Sequence, residues 1–277
     1  MISRLLSAVA RGFLVLLLVA TPGLMAPGIS EDGAQVVVLV ALAAAAMTML
    51  EYTSSYPSLF EFRDAPPFNR IRFANLFFSV FLISVLVRHT VDPGQLTLLV
   101  TAVGDVVGRA IDFPYSPVRL VILMLPEDAS MADVALVRSA AGLAFTISTA
   151  AVLIFLAIVR LTRWPMDSGS FNVWINLPTF DPTSGGDVVG RLSRDGRINV
   201  ALGILLPFLM PAVVNAAGAL FGPMSIGNLQ TMIWTVAAWA FLPSSLIARG
   251  LAMQRVAAII ARKRRETTAT TGGLVPA

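Results

Sequence analysis

The sequence predicts an all-α, polytopic bundle of six transmembrane helices with one extra amphipathic or re-entrant segment on its outer side. Three observations carry that prediction. Hydrophobic residues make up 56% of the 277 and charged residues only 13%, with a mean hydropathy of +0.80, which leaves too little polar surface to cover such a chain in water. Apolar runs of near-spanning length recur, and they are continuous rather than alternating, so helices rather than barrel strands satisfy the backbone in lipid. Basic residues cluster at the ends of those runs, the pattern of the positive-inside rule.

The first span, about 12–29, follows Arg4 and Arg11 and contains Pro22 and Pro27. It has the charged start and apolar core of a secretory signal, but no clean A-x-A cleavage site precedes an accessible mature start. The second apolar run, 34–50, follows almost at once, so we expect the first helix to be retained. The third, 73–87, lies between Arg72 and Arg88 and is only about 22 Å long as a helix. Snorkelling arginines or local thinning of the bilayer cover that deficit. The fourth, 139–159, is free of charge and ends at Arg160 and Arg163, with Trp164 at the depth of an aromatic belt. It sets the register of the rest. The fifth, 198–221, and the sixth, 226–248, are joined by the uncharged turn Gly222 to Ser225 and form a hairpin.

Counting basic residues orients the bundle. With the N-terminus inside, sixteen of the twenty Lys and Arg face the cytoplasm, and we expect both termini there, in a bacterial inner membrane. The other four, Arg88, Arg109, Arg119 and Arg138, fall in an outer segment with six acidic residues from Asp92 to Asp133. The cytoplasmic parts are then the loops 51–72 and 160–197 and a basic tail, 249–277.

Parity also decides the ambiguous segment 96–125. Were Leu96 to Ile111 to span, eleven basic residues of later loops would face outward, against the rule. We expect either a shallow surface helix or a hairpin that turns at Phe113-Pro114-Tyr115-Ser116-Pro117, since Val118 to Leu125 is only about 12 Å as a helix. Thr97, Thr101, Gly104, Asp105, Gly108, Arg109 and Asp112 share one helical stripe. The stripe reads as the wet face of a surface helix, or as the lining of an aqueous path in which Asp105 and Arg109 pair.

The loop 51–72 carries Tyr52, Tyr56, Phe60, Phe62 and Phe68 between prolines and is expected to lie on the headgroup region. The loop 160–197 carries Trp174 and Phe180 and exceeds what a connection needs. It reads as amphipathic patches on lipid or as a partner-docking face. Beyond the sixth span, Arg262, Lys263, Arg264 and Arg265 are expected to touch anionic lipid headgroups, and Glu266 to Ala277 to form a disordered tail.

The chemistry is mainly one of exclusion. The chain has no cysteine and a single histidine, His89, which removes disulfides, thiolate nucleophiles and paired-histidine metal sites. No Walker loop, dinucleotide fingerprint or metalloprotease motif is present. After Asp195 the next acidic residue is Glu266, so no string of aspartates follows to hold divalent cations. Basic residues flank spans rather than form a stripe, which argues against nucleic acid. We therefore expect no catalytic residue, cofactor or metal.

Two features keep other readings open. The hexapeptide Gly104-Asp105-Val106-Val107-Gly108-Arg109 recurs as Gly186-Asp187-Val188-Val189-Gly190-Arg191, although the flanks do not continue it. Pro207, Pro211 and Asn215 in the fifth span, with Pro243 in the sixth, are positioned to free backbone carbonyls at mid-membrane, as transporters do. Candidate membrane or interaction positions are thus Asp105, Arg109, Asp187, Arg191, Trp174, Pro207, Pro211 and Asn215. The leading expectation is a non-enzymatic accessory or assembly factor of a larger membrane complex, acting by contacts. The alternative is a small-solute transporter or channel.

Overall fold

The computed structural model describes residues 2–272 apart from 57, 167–171, 182, 184 and 222–228. Among them the chain is all helix and turn: α1 (Ile2–Met25), α2 (Glu31–Thr53), α3 (Phe68–Arg88), α4 (Gln95–Ile111), α5 (Pro117–Ile122), α6 (Met131–Leu161), α7 (Val173–Asn176), α8 (Val188–Phe221) and α9 (Leu229–Gly272). Six of these, α1, α2, α3, α6, α8 and α9, are long and apolar enough to cross a membrane. The protein is a multi-pass membrane bundle.

The spans start where polar residues take up the free N–H groups of a first turn. The Ser30 hydroxyl accepts from Gly33 at the head of α2. At α6, Ser130 and Asp133 cap each other's backbone, a reciprocal capping box. Asp187 closes the first turn of α8 by accepting from Gly190 N–H at 2.9 Å.

Helices α3, α6 and α9 form the centre. Helix α1 pairs with α2 and leans on α3, α8 runs along α9, and α4 crosses α6. Two buried clusters fill the bundle. One, at the end where α3 finishes and α6 begins, gathers Val80, Ile83, Val118, Val121, Ala140, Leu143, Ile233 and Trp239. The other lies at the opposite end and includes Phe62, Phe68, Phe155, Trp164, Leu177, Phe180, Leu192 and Met253. Between the clusters, the Asn75 amide donates to the Ser244 hydroxyl at 2.9 Å and accepts from the Ser148 hydroxyl at 3.0 Å, all three side chains buried. That knot ties α3, α6 and α9 through interhelical hydrogen bonds, the way polar side chains join helices in membranes.

Glycines set two close approaches. A Cβ on Gly142 of α6 would lie 2.6 Å from the Cα of Gly108 on α4, and one on Gly250 of α9 would lie 2.5 Å from the carbonyl oxygen of Gly196 on α8. Backbone meets backbone at both crossings, the contact that small residues permit in membranes.

Several boundaries depart from expectation. Helix α3 begins at Phe68 rather than 73, because Arg70 and Arg72 sit inside its first two turns, and at 21 residues it measures about 32 Å and needs no thinning. Helix α8 starts at Val188, ten residues before the apolar run, and α9 continues to Gly272. The tail expected to be disordered from Glu266 is therefore helical up to that point. The turn Gly222 to Ser225 lies outside the described residues.

The stripe on α4 is also corrected. Thr97, Gly104 and Gly108 are buried, the two glycines against Ser139, Leu143 and Arg138 of α6, while Leu96, Leu99 and Val106 are exposed. The small members of the stripe pack against α6, while its charged members Asp105 and Arg109 stay at the surface. Small side chains, which look polar in a periodicity count, serve here for close approach. Helix α5 follows as a six-residue turn, its Ser116 cap accepting from Arg119, and Asp112 sits between Arg119 at 2.8 Å and Arg138 at 3.5 Å.

Candidate functional site

The two long loops fold together at one end of the bundle. The Phe62 N–H donates to the Asn176 carbonyl at 2.6 Å, and the Asp64 N–H donates to the Asn176 side-chain oxygen at 3.0 Å. Trp164, expected in an interfacial belt, is 1% exposed. Its indole N–H donates to the Ala65 carbonyl at 3.2 Å, and its ring lies 5.2 Å from Phe155 and 5.7 Å from Phe62. Arg255 of α9 donates to the Trp164 and Thr162 carbonyls, both at 3.1 Å. The loop aromatics Phe62, Trp164 and Phe180 thus fill a core rather than lie on lipid, because they meet one another and the ends of α6, α8 and α9.

At the centre of this head is an ion pair. Arg249 of α9 reaches Glu61 of the first loop with Nε to Oε2 at 2.6 Å and Nη2 to Oε1 at 2.9 Å. The Thr179 hydroxyl from the second loop adds a bond to Oε1 at 2.6 Å, and Arg249 Nη1 donates to Asn199 of α8 at 3.2 Å. Burial alone would raise the Glu61 carboxyl, but hydrogen bonds from Arg249 and Thr179, with the charges of Arg249 and Arg72, hold it below the ordinary carboxylate value. The carboxylate thus joins the first loop to the second and to α9, and Arg249 carries the connection on to α8.

The positions singled out from sequence are scattered. Asp105 and Arg109 pair along α4 at 2.8 Å with side chains 39% and 68% exposed, a surface pair rather than the wall of a path. Asp187 caps α8 and also meets Arg264 at 2.5 Å. The hydrogen bonds from Arg264 and Gly190 lower its carboxyl below the ordinary value. Arg191 stacks over Phe180 at 4.7 Å. Asp187 and Arg191 therefore belong to the head, and Asp105 and Arg109 do not. The repeated hexapeptide is mid-helix in α4 and a turn followed by a helix start at α8, so identical letters make different structures. Trp174 lies in α7 and Asn215 in α8, with side chains outside the described residues.

Pro207 and Pro211 stand inside α8. Pro211 lacks an N–H, so the Pro207 carbonyl loses the donor a helix would supply. The Trp239 indole of α9 takes that carbonyl at 3.1 Å. At this one carbonyl the break is answered by a neighbouring helix.

The basic run on α9 is partly engaged: Arg264 with Asp187, and Arg262 with Glu266 at 3.5 Å. On the same side Arg163, Arg255, Arg262 and Arg265 line a groove of about 600 Å³ with Met166 and Ile259. Among the described residues no cluster of three or more His, Cys, Asp or Glu is placed to hold a metal.

Sequence reasoning passed over Glu61, Thr179, Asn199 and the role of Arg249. The one signal was a buried-type setting for an acid, Glu61 between Phe60 and Phe62. Comparison with family models, with curated proteins and with solved structures finds no match to this chain.

Proposed function

We propose that this chain is a non-enzymatic protein of a bacterial inner membrane, with its head in the cytoplasm, that acts through protein contacts as an accessory or assembly factor of a larger membrane complex. The observation that supports it most is the contact between the two loops at Glu61. Described residues of two loops longer than connection requires are joined to α8 and α9 around a buried carboxylate, and loops held on a scaffold are where proteins place contact surfaces. Around that head, Tyr56 is 84% and Leu59 60% exposed; the Tyr56 N–H donates to the Ser54 hydroxyl, and the Glu51 carboxylate accepts from the Ser58 and Leu59 N–H groups. Sixteen basic residues on the head side of the spans support the orientation, and the exposed Lys263 and Arg265 on α9 suit contact with anionic headgroups. The transport alternative drew on freed carbonyls, and the one at Pro207 is occupied by Trp239.

The test is site-specific photocrosslinking in native membranes from Tyr56 and Leu59, with Val38 on the lipid-facing side of α2 as the comparison. One dominant crosslinked membrane protein from both head positions, absent at Val38, is expected. A head that crosslinks to nothing but lipid would sink the reading.

A further inference from the structure

A cleft of about 770 Å³ opens between α1, α2, α3 and the first loop, and its two halves differ in chemistry. One half is apolar, walled by Leu14, Leu18, Met47 and Leu76. The other carries Arg11, Arg63, Arg70 and Arg72, four cations at one end of a hydrophobic slot.

Arg72 is the informative residue. Its guanidinium lies over the Phe68 ring at 5.3 Å and against Phe241 at 5.9 Å, while its Nε is fully buried without a hydrogen-bond partner. A buried guanidinium donor without an acceptor is costly. Arg72 feels the charge of Glu61 but no hydrogen bond joins them, since the carboxylate oxygens of Glu61 accept from Arg249 and Thr179, and those of Glu51 from Ser58 and Leu59. Arg63, also on the wall, is engaged by the Glu51 and Ser54 carbonyls. Arg11 stacks on Tyr52 at 4.4 Å, and Arg70 is exposed.

We propose that this cleft binds one anionic phospholipid, its phosphate held by Arg72 with Arg11 and Arg70 and one acyl chain laid along Leu14, Leu18 and Met47. Charge selects the ligand's head, because guanidinium groups match phosphate oxygens bidentately. The apolar wall selects a lipid over a soluble phosphate, since a free anion leaves that surface uncovered. The cleft is separate from the basic run at the end of α9, and the assignment does not rest on the accessory role.

The delipidated full chain in detergent, titrated with phosphatidylglycerol or phosphatidylcholine and read by native mass spectrometry, tests it. One phosphatidylglycerol per chain is expected, preferred about tenfold over phosphatidylcholine, with the preference lost in Arg72→Met. Ala44→Trp, which fills the apolar half, is expected to weaken retention of both lipids, and Arg160→Gln, an equal charge change elsewhere, to leave it intact. If Arg72→Met does not fold, Arg70→Gln with Ala44→Trp carries the same comparison. Equal retention of the two lipids, an Arg160→Gln loss as large as that of Arg72→Met, or displacement of the lipid by millimolar inorganic phosphate would overturn the proposal.

Discussion

Arg249 holds Glu61 with two donors, at 2.6 and 2.9 Å, across 188 residues of chain. The Glu61 side chain is 10% exposed and that of Arg249 30%. Removing one partner of such a pair leaves a buried charge alone, which costs about 3 kcal/mol. Glu61→Gln and Arg249→Met are each expected to lower the melting temperature of the detergent-solubilised chain and to speed hydrogen exchange over 58–66. Glu61→Leu combined with Arg249→Met is expected to recover part of the loss. Single variants that melt like wild type would remove the pair from the account of the head.

Acid should loosen the same place. The folded Glu61 carboxyl lies below its ordinary value, so its contribution is fully present above that ordinary value and is lost as pH falls through the folded one. Melting followed downward from neutral pH is expected to stay level as far as the ordinary carboxylate range and then to fall, with a shallower fall in Glu61→Gln. An equal fall in both proteins would assign the acid sensitivity to other groups.

The crossing of α4 over α6 tolerates no side chain. A Cβ at Gly142 meets backbone of Gly108 at 2.6 Å, and backbone cannot swing aside as a flexible side chain can. Gly142→Val is expected to cost about 2 kcal/mol or more by overpacking and to expose α4 to proteolysis. Gly94→Ala, where no atom lies within 4 Å, serves as the neutral comparison. Limited digestion of the two variants decides the point.

Trp239→Phe keeps an aromatic ring beside Phe145 but leaves the Pro207 carbonyl without its donor. Measured hydrogen bonds inside membrane proteins suggest a cost of about 0.6 to 1.7 kcal/mol. Equilibrium unfolding in mixed micelles would register it. A solute flux appearing in liposomes with this variant and absent from wild type would instead revive the transport reading.

By contrast, Asp105→Asn and Arg109→Gln should change little. The pair is solvent-screened and lies along one helix, a geometry worth about 0.3 kcal/mol or less once exposure is discounted. Melting curves that superimpose on wild type are the expected outcome.

The six spans were legible in sequence because lipid imposes one demand on every one of them, a long run of apolar residues. Helix ends were less so. Amphipathic turns such as Val188 to Arg197 extend a span into water without an apolar signal, and Arg72 and Arg88 read as brackets although they lie within α3. The head was illegible for a different reason. Its central contacts join Glu61 to Arg249 and Phe62 to Asn176, and no local spacing encodes such pairings. Trp164 shows the same limit: its position after a charged helix end suits an interfacial belt, and only the neighbouring Phe62 and Phe155 show that it is enclosed.

Helix α9 contributes Met232 to Ala240 to one buried cluster and Ala248 to Ala257 to the other, and Pro243 falls between them. Its missing N–H takes one rung from the helix ladder at Trp239, next to the knot at Ser244. Stiffness along this rod is therefore lowest in the gap between the two cores. A load applied at the head would turn one half of the rod relative to the other about that joint, while each core keeps its own packing.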